Sequence, residues 1–225
     1  MPILRYTLVL SAFFAFSTLT GGQVSIGVFA GPSYVDIRFD NDFTSRLFDP
    51  ALAFEAGGNA TWSLSNPLRL RTGLQLNRKG TRSNIFITDE NGEILYQAKQ
   101  NITFDYLSIP VMLEASVGQS FRGIFQLGPS FGFLLQQTSK IKTRQPFNVT
   151  SSSSHTDDFY RFEHAILLGL GLEKFINDKI ALQVLARTAY GLNNIDKVSS
   201  PFIRDVEMRT FVVSGTVGFQ YYLGR

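Results

Sequence analysis

The stretch Gly123-Ile124-Phe125-Gln126-Leu127-Gly128-Pro129-Ser130-Phe131-Gly132-Phe133-Leu134-Leu135-Gln136 decides the fold. Its odd positions read Phe125, Leu127, Pro129, Phe131, Phe133 and Leu135; its even positions read Ile124, Gln126, Gly128, Ser130, Gly132, Leu134 and Gln136. A period of two puts successive side chains on opposite faces of a strand, whereas a helix repeats about every 3.6 residues. A soluble sandwich or lipocalin-like barrel alternates too, but it points bulk inward and charge outward. Here the face opposite the bulk carries Gly, Ser and Gln, with few charges along the other strands. It is too small and too sparsely charged for a water-facing surface, and it suits the narrow interior of a barrel whose bulky face meets lipid.

The same alternation spreads along the chain. Leu68, Leu70, Leu74 and Leu76 oppose Arg69, Arg71, Gln75, Asn77 and Lys79. Leu107, Ile109, Val111, Leu113, Ala115 and Val117 oppose Tyr106, Ser108, Met112, Glu114 and Ser116. Ile166, Leu168, Leu170 and Leu172 oppose Glu163, Ala165, Gly169, Gly171 and Glu173; Ile180, Leu182, Val184, Ala186 and Tyr190 oppose Gln183, Arg187 and Gly191. Phe211, Val213, Val217, Phe219 and Tyr221 oppose Thr210, Ser214, Thr216, Gly218 and Gln220, and weaker segments at 24–37 and 51–64 complete a set of eight.

Connections alternate in length. Short turns fall at Ser65-Asn66-Pro67, Gly118 to Arg122 and Asn177-Asp178, and long polar ones at 38–50, 82–103, 139–160 and 192–206. Asn91-Gly92 is a tight-hairpin signal, so the third and fourth strands are expected to extend past the membrane. The run Ser151 to Ser154 marks 139–160 as the most disorder-prone connection, and with Asp157-Asp158 it is expected to stand exposed at the cell surface. The pattern predicts an all-β fold, an eight-stranded antiparallel up-and-down transmembrane β-barrel, with short periplasmic turns, long external loops and both termini periplasmic. Pro32, Pro110 and Pro129 fall inside strands, where a closed barrel has no edge to shelter a missing donor. Bulges at Gly31-Pro32 and Gly128-Pro129 are expected to accommodate two of them; spacing alone offers nothing for Pro110.

Composition narrows the rest. Charged residues are 17 % of the 225, below the roughly 25 % of soluble domains. The absence of Cys excludes disulfide scaffolds, Cys-containing zinc sites, thiol catalysis and lipoprotein acylation. Two His leave little room for a multi-histidine metal centre. Residues 1–22 hold one basic residue, Arg5, then the apolar run Leu8 to Phe16, then small or polar residues. That is a signal-peptide layout, too short to span a bilayer as a helix. The expected organisation is 1–22 a signal peptide, cut near Gly22/Gln23, and 23–225 the outer-membrane β-barrel domain. Loss of Arg5 takes the formal charge from +3 to +2, which gives no argument for nucleic acid.

Four motifs carry a resemblance. Tyr106-Leu107-Ser108-Ile109-Pro110-Val111-Met112-Leu113 resembles the L-x-I-P-L-L-L strand of the PorT-like outer-membrane barrel family of Bacteroidetes, and Gly128-Pro129-Ser130-Phe131-Gly132-Phe133-Leu134-Leu135 is similar to its G-P-x-x-G-x-L-L strand. Leu74-Gln75-Leu76-Asn77-Arg78-Lys79-Gly80 and Leu168-Gly169-Leu170-Gly171-Leu172-Glu173 resemble its L-x-Y-S-x-K-G and L-G-L-G-x-E elements. In order and spacing the resemblance covers essentially all of 23–225. It implies a single outer-membrane barrel and makes Pro110 an inherited feature. The family's namesake resembles a secretion accessory, so the carry-over is to fold and location. Outer-membrane proteins commonly end on an aromatic residue, whereas here Tyr221-Tyr222 is followed by Leu223-Gly224-Arg225.

No catalytic, cofactor-binding or metal-binding residue is assigned, and no cofactor is expected. His164, in phase with Ile166 and Leu168, has two readings: a rim histidine in the interfacial belt, or the base of a Ser–His lipid hydrolase. His155 follows four serines in a flexible loop. Gly169-x-Gly171 lacks the third glycine and the helix of a nucleotide fold. The triplets at Asn59, Asn101 and Asn148 receive no role. Trp62 and Tyr221 are expected in an aromatic belt at the short-turn end, with Tyr34 and Tyr190 in one at the long-loop end. The expected inward set is Glu55, Arg69, Arg71, Gln75, Lys79, Glu114, Glu163, Glu173 and Arg187, pairing across strands with arginine forks each holding two carboxylate oxygens. Glu173 and Arg69, nearest the short turns, are the ones that simple solvation would also explain.

Three functions fit: a non-catalytic barrel that anchors, presents loops or assists secretion or envelope assembly; a small-solute channel; and a lipid-modifying enzyme. The first is favoured, with outer-membrane lipid and envelope or secretion-system proteins as partners and a monomeric state.

Overall fold

The computed structural model describes residues 23–39, 48–88, 90–91, 94–143, 150–197 and 207–223. Residues 1–22, read above as a signal peptide, lie outside these. The strands are β1 (Val24–Phe39), β2 (Phe48–Ser63), β3 (Leu68–Thr88), β4 (Ile94–Gly118), β5 (Phe121–Thr143), β6 (Thr150–Ser153), β7 (Phe162–Phe175), β8 (Ile180–Gly191) and β9 (Met208–Leu223). Consecutive long strands pair antiparallel, and β1 pairs with β9, so all but β6 close into a ring of eight. The short β6 adds to the upper edge of β5, beyond the reach of β7.

Which way each strand faces follows from what must be solvated. Phe125, Leu127, Phe131, Phe133 and Leu135 stand exposed on the outer wall, and Ile124, Gln126, Ser130 and Leu134 are buried inside. The same holds for Leu74 and Leu76 against Gln75 and Lys79, and for Leu168 and Leu170 against Glu163 and Glu173. An outer band of bare leucine, valine and phenylalanine around the ring is stable only in lipid, where its exposure carries no cost.

Short turns close one end. Asn177 Oδ1 accepts from the backbone N–H groups of Lys179 (2.9 Å) and Ile180 (2.8 Å), turning the chain between β7 and β8. Gly118 sits at φ +119°, where a Cβ would lie 2.1 Å from the Phe121 carbonyl oxygen, so only glycine fits there.

The prolines are housed differently from expectation. No bulge forms at Gly31-Pro32 or Gly128-Pro129: the β1–β9 and β4–β5 registers resume unshifted on either side of an unpaired step. By that register Pro32 faces Gly215, and by the β3–β4 register Pro110 faces Gly73, again at an unpaired step. A missing donor is tolerated where the neighbouring strand makes no ladder bond, and a glycine opposite lets the backbones approach. Thr72 Oγ1 donates to the Pro110 carbonyl at 2.7 Å, giving that oxygen a side-chain partner. The register shifts lie elsewhere, between Asp105 and Tyr106 on the β4–β5 ladder, between Pro50 and Glu55 on the β2–β3 ladder and between Ile87 and Thr88 on the β3–β4 ladder.

The long connections are shorter than the sequence suggests, because strands run into them. β3 and β4 continue to Thr88 and from Ile94 around a turn at Glu90-Asn91, as the Asn-Gly signal predicts. The segment expected to be the most disordered holds β6 and a short 3-10 helix at Thr156–Asp158. Gln137 organises it: its N–H donates to Thr156 Oγ1 (3.0 Å), its carbonyl accepts from Ser154 Oγ (2.6 Å), and its Oε1 accepts from the His155 N–H (2.9 Å). Polar side chains that suggest disorder by composition here serve as donors and acceptors to the backbone of the segment. Thr150 to Ser153 are exposed, as expected.

Candidate functional site

The lumen is where the chemistry-bearing residues converge. Every member of the expected inward set (Glu55, Arg69, Arg71, Gln75, Lys79, Glu114, Glu163, Glu173 and Arg187) is buried. Glu173 and Arg69 are buried with the rest, at 0 % and 5 % exposure, so simple solvation near the short turns does not describe them.

At the short-turn end Glu114 from β4 is the hub. Arg69 Nη2 lies 2.7 Å from its Oε1, and Arg71 Nη1 donates to its Oε2 at 2.8 Å, both arginines coming from β3. Gln126 of β5 donates to the same Oε2 at 2.7 Å. Arg71 Nη2 donates to Gln183 Oε1 (3.0 Å), which in turn donates through Nε2 to Glu173 (2.5 Å). Tyr222 of β9 accepts from Arg69 (2.9 Å) and donates to Glu173 (2.8 Å), and Arg122 stands 3.5 Å from Glu173 at the mouth. Arg69 reaches two carboxylate oxygens as expected, Glu114 Oε1 and, at 3.6 Å, Glu173 Oε1, but among the described residues no lumenal arginine fork grips both oxygens of one carboxylate; Glu114 divides its two oxygens between two arginines. Side chains entering a narrow cylinder from different strands meet at different heights, so each guanidinium spreads over several acceptors. The fork-to-fork pairing occurs on the outer wall, where Arg78 Nε and Nη2 meet Asp105 Oδ1 and Oδ2 at 2.7 and 3.0 Å.

Midway, Arg187 lies 3.6 Å from Glu55 and its guanidinium sits 4.5 Å from the Phe29 ring centroid. Ser214 Oγ donates to Glu55 at 3.0 Å. Above them Lys79 Nζ is 2.5 Å from Glu163, which also accepts from Thr210, and 5.0 Å from the Tyr106 ring centroid. The enclosed space among Glu55, Gln75, Lys79, Glu163 and Arg187 is about 30 Å³, room for little beyond water.

The long-loop end of the lumen is apolar. Ile37, Phe104, Tyr106, Leu134, Ile195 and Met208 form a buried cluster, with Ile102 and Phe159 packed against it. The Phe104 and Phe159 rings meet edge to face at 4.9 Å. Ile195 and Phe159 come from connections read as polar, and they fold back to lid the barrel.

The remaining sequence candidates fall as follows. The His164 ring faces out and meets Phe131 edge-on at 5.8 Å, one register step above the Ile166–Tyr190 pair. His155 caps the 3-10 helix, its backbone held by Gln137. Tyr190 and Tyr221 are exposed on the outer wall near the ends of their strands, Tyr34 is exposed there five residues inside the end of β1, and Trp62 is half-buried beside Val24. Among the described residues no group of three or more His, Asp or Glu is placed to hold a metal ion. The uncharged lumen members Gln126, Gln183, Gln220 and Tyr222 were not singled out, although each lies in the inward phase of its strand. Phase alone finds them once the wall's outer face is known.

Comparison with known proteins agrees with this architecture. The family model described as outer membrane protein beta-barrel domain matches residues 15–197, well over half of the chain, and the chain belongs to that family. The match ends before β9, the strand that closes the ring. No curated protein matches the chain. Among solved structures it is similar to Ail, the attachment invasion locus protein of Yersinia pestis, at 13 % identity over 90 % of this chain and 99 % of that one, TM-score 0.44. It is similar to the outer membrane protein OprG from Pseudomonas aeruginosa at 12 % identity over 91 % and 98 %, TM-score 0.43. It is similar to the outer membrane protease OmpT from Escherichia coli at 11 % identity over 90 % and 96 %, TM-score 0.40.

Proposed function

We propose that this member of the outer membrane protein beta-barrel domain family is a non-catalytic, monomeric anchor that presents its long-loop end to envelope or secretion-system proteins. The observation that carries the reading is the filled lumen: a charge-paired layer at one end, an apolar cap at the other, and about 30 Å³ of enclosed space between. A pore needs a continuous wet path, and among the described residues the lumen is filled by these side chains. We place the long loops outside and both ends of the barrel chain on the periplasmic side, following the usual pairing of short turns with the periplasm. The four motifs around Leu74, Tyr106, Gly128 and Leu168 favour the PorT-like branch. His164 belongs on this reading to the interfacial belt, its ring against Phe131.

Purified protein in planar bilayers is expected to show no stable unitary conductance. Steady ion-selective openings that shift with Glu114→Gln would replace the anchor with the small-solute channel. An epitope tag inserted at Ser152 is expected to bind antibody on intact cells; labelling only after permeabilisation would reverse the orientation.

A further inference from the structure

Above the apolar band the outer wall of β3, β4 and β5 carries a basic groove. The register sets its rows. Leu76, Leu107 and Phe133 end the band; the next outward row is Arg78, Asp105 and Gln136. Then come Gly80, Thr103 and Thr138, then Arg82, Asn101 and Lys140, then Asn84, Lys99 and Lys142. Rows two residues apart are separated by about 7 Å along the strand. The Arg78–Asp105 pair is internally neutral. The rows above it are not: Arg82, Lys99, Lys140 and Lys142 are all exposed, and among the described residues none of them forms an ion pair. Asp49, opposite Arg82 in the β2–β3 register, is the nearest carboxylate by register, and no ion pair joins the two.

Two further features make this a site and not merely a charged surface. Gly80 leaves the centre of the groove without a side chain, and the β2–β3 ladder is unpaired from Ala51 to Phe54 beside it, opening a cavity of about 460 Å³ lined by Arg78, Gly80, Arg82, Lys99 and Lys140. That is within the usual range of ligand pockets. Lys99 also stands directly opposite Lys142 in the β4–β5 register. Like charges paired across strands destabilise a sheet, and nothing among the described residues offsets this one; a bound anion would.

We infer that this groove binds the phosphorylated head group of an outer-leaflet glycolipid, with Arg82, Lys99 and Lys140 on the phosphates and the acyl chains lying along Leu74, Leu76, Leu107 and Phe133 below. The inference rests on the orientation given under Proposed function, with the long-loop end in the outer leaflet. Position selects a lipid over a soluble anion, because the exposed basic rows stand on the outer wall of the same three strands whose lower rows, Leu76, Leu107 and Phe133 among them, form the apolar band. Arginine and lysine on phosphate oxygens form charge-assisted hydrogen bonds of the stronger class.

The test uses the barrel folded in detergent micelles, where sidedness plays no part. Binding of bisphosphorylated glucosamine-disaccharide lipid (lipid A) is measured by native mass spectrometry or titration, beside its phosphate-free counterpart and inorganic pyrophosphate. The bisphosphorylated lipid is expected to bind at least tenfold more tightly than either. The triple variant Arg82→Gln, Lys99→Gln, Lys140→Gln is expected to lose at least tenfold, while Lys174→Gln at the other end of the wall changes nothing. Charge-retaining Arg82→Lys with Lys140→Arg keeps most of the affinity and shows that charge, not folding, is read. Unchanged binding in the triple variant, or equal binding of phosphate-free lipid, overturns the site; equal binding of pyrophosphate overturns the lipid. Failure of the orientation shows separately, in the labelling at Ser152, and leaves this binding measurement intact.

Discussion

The lower and upper halves of β4 obey opposite rules. From Leu107 to Leu113 the outward residues are Leu107, Ile109, Val111 and Leu113, and the buried ones include Ser108 and Glu114 just beyond. From Lys99 to Tyr106 the outward residues are Lys99, Asn101, Thr103 and Asp105, and the buried ones are Phe104 and Tyr106. The alternation keeps its phase while its polarity reverses. The solvent on the outer face changes from lipid to water between these halves, and the interior changes with it. Where lipid solvates the wall, the lumen holds Glu114, Arg69 and Arg71; where water does, the lumen is packed like a soluble core around Phe104, Leu134 and Ile195. One strand thus belongs to two kinds of protein.

The contrast can be broken most sharply at Glu114. Glu114→Leu leaves the buried guanidinium of Arg71 without its carboxylate and Arg69 with Glu173 alone, 3.6 Å away, and such losses cost about 3–5 kcal/mol; unfolding in urea, followed by the fluorescence of the sole tryptophan, Trp62, should show a loss of about 4 kcal/mol. The companion variant Arg69→Met, Arg71→Met, Glu114→Met removes the whole charged triad and is expected to recover most of that loss. A triple variant as unstable as the single would mean that the charges do more than offset one another. In the upper half Phe104→Ala opens a cavity in the apolar cap and should cost about 3 kcal/mol in the same assay. It should also loosen the connections that supply Phe159 and Ile195, read as faster backbone hydrogen exchange there and not at the short-turn end. Arg78→Ala, on the outer wall between the halves, breaks a half-exposed pair with Asp105 and a contact over the Phe54 ring, and should cost about 1 kcal/mol. A larger loss would move the boundary between lipid and water above Arg78.

The reversal also explains how far the sequence could be read. In the lipid-facing half the contrast between strand faces is extreme, leucine against arginine or glycine, so strand phase, inward charges and the aromatic ends of strands were all legible. In the upper half, 82–103 looks like a polar connection because the outward residues of β3 and β4 are what any loop would carry. The alternating Ile102, Phe104 and Tyr106 held the contrary signal, though only for a reader prepared to let polarity flip within a strand. The bulge expected at Pro32 does not form, and spacing is silent on Pro110, for another reason: which ladder steps go unpaired depends on the neighbour's residue, Gly215 and Gly73, more than 30 positions away in sequence. The same holds for the arginine forks. Composition says that Arg69 and Arg71 will be paired, but it cannot say that one glutamate will serve both.

The seam between β1 and β9 has a consequence in time. Each long strand after β1 finds a partner in the long strand before it, but the second edge of β1 waits for Met208–Leu223, close to two hundred residues later. Without that pairing β1 and β8 would each keep an unpaired edge, and the lumen would have no wall on that side. Tyr222, which bridges Arg69 to Glu173, arrives on that last strand, so the buried charges cannot settle before closure. Contacts this distant in sequence form slowly. Removing Met208–Leu223 would therefore open the ring on two sides at once and take the Tyr222 bridge out of the charged layer with it.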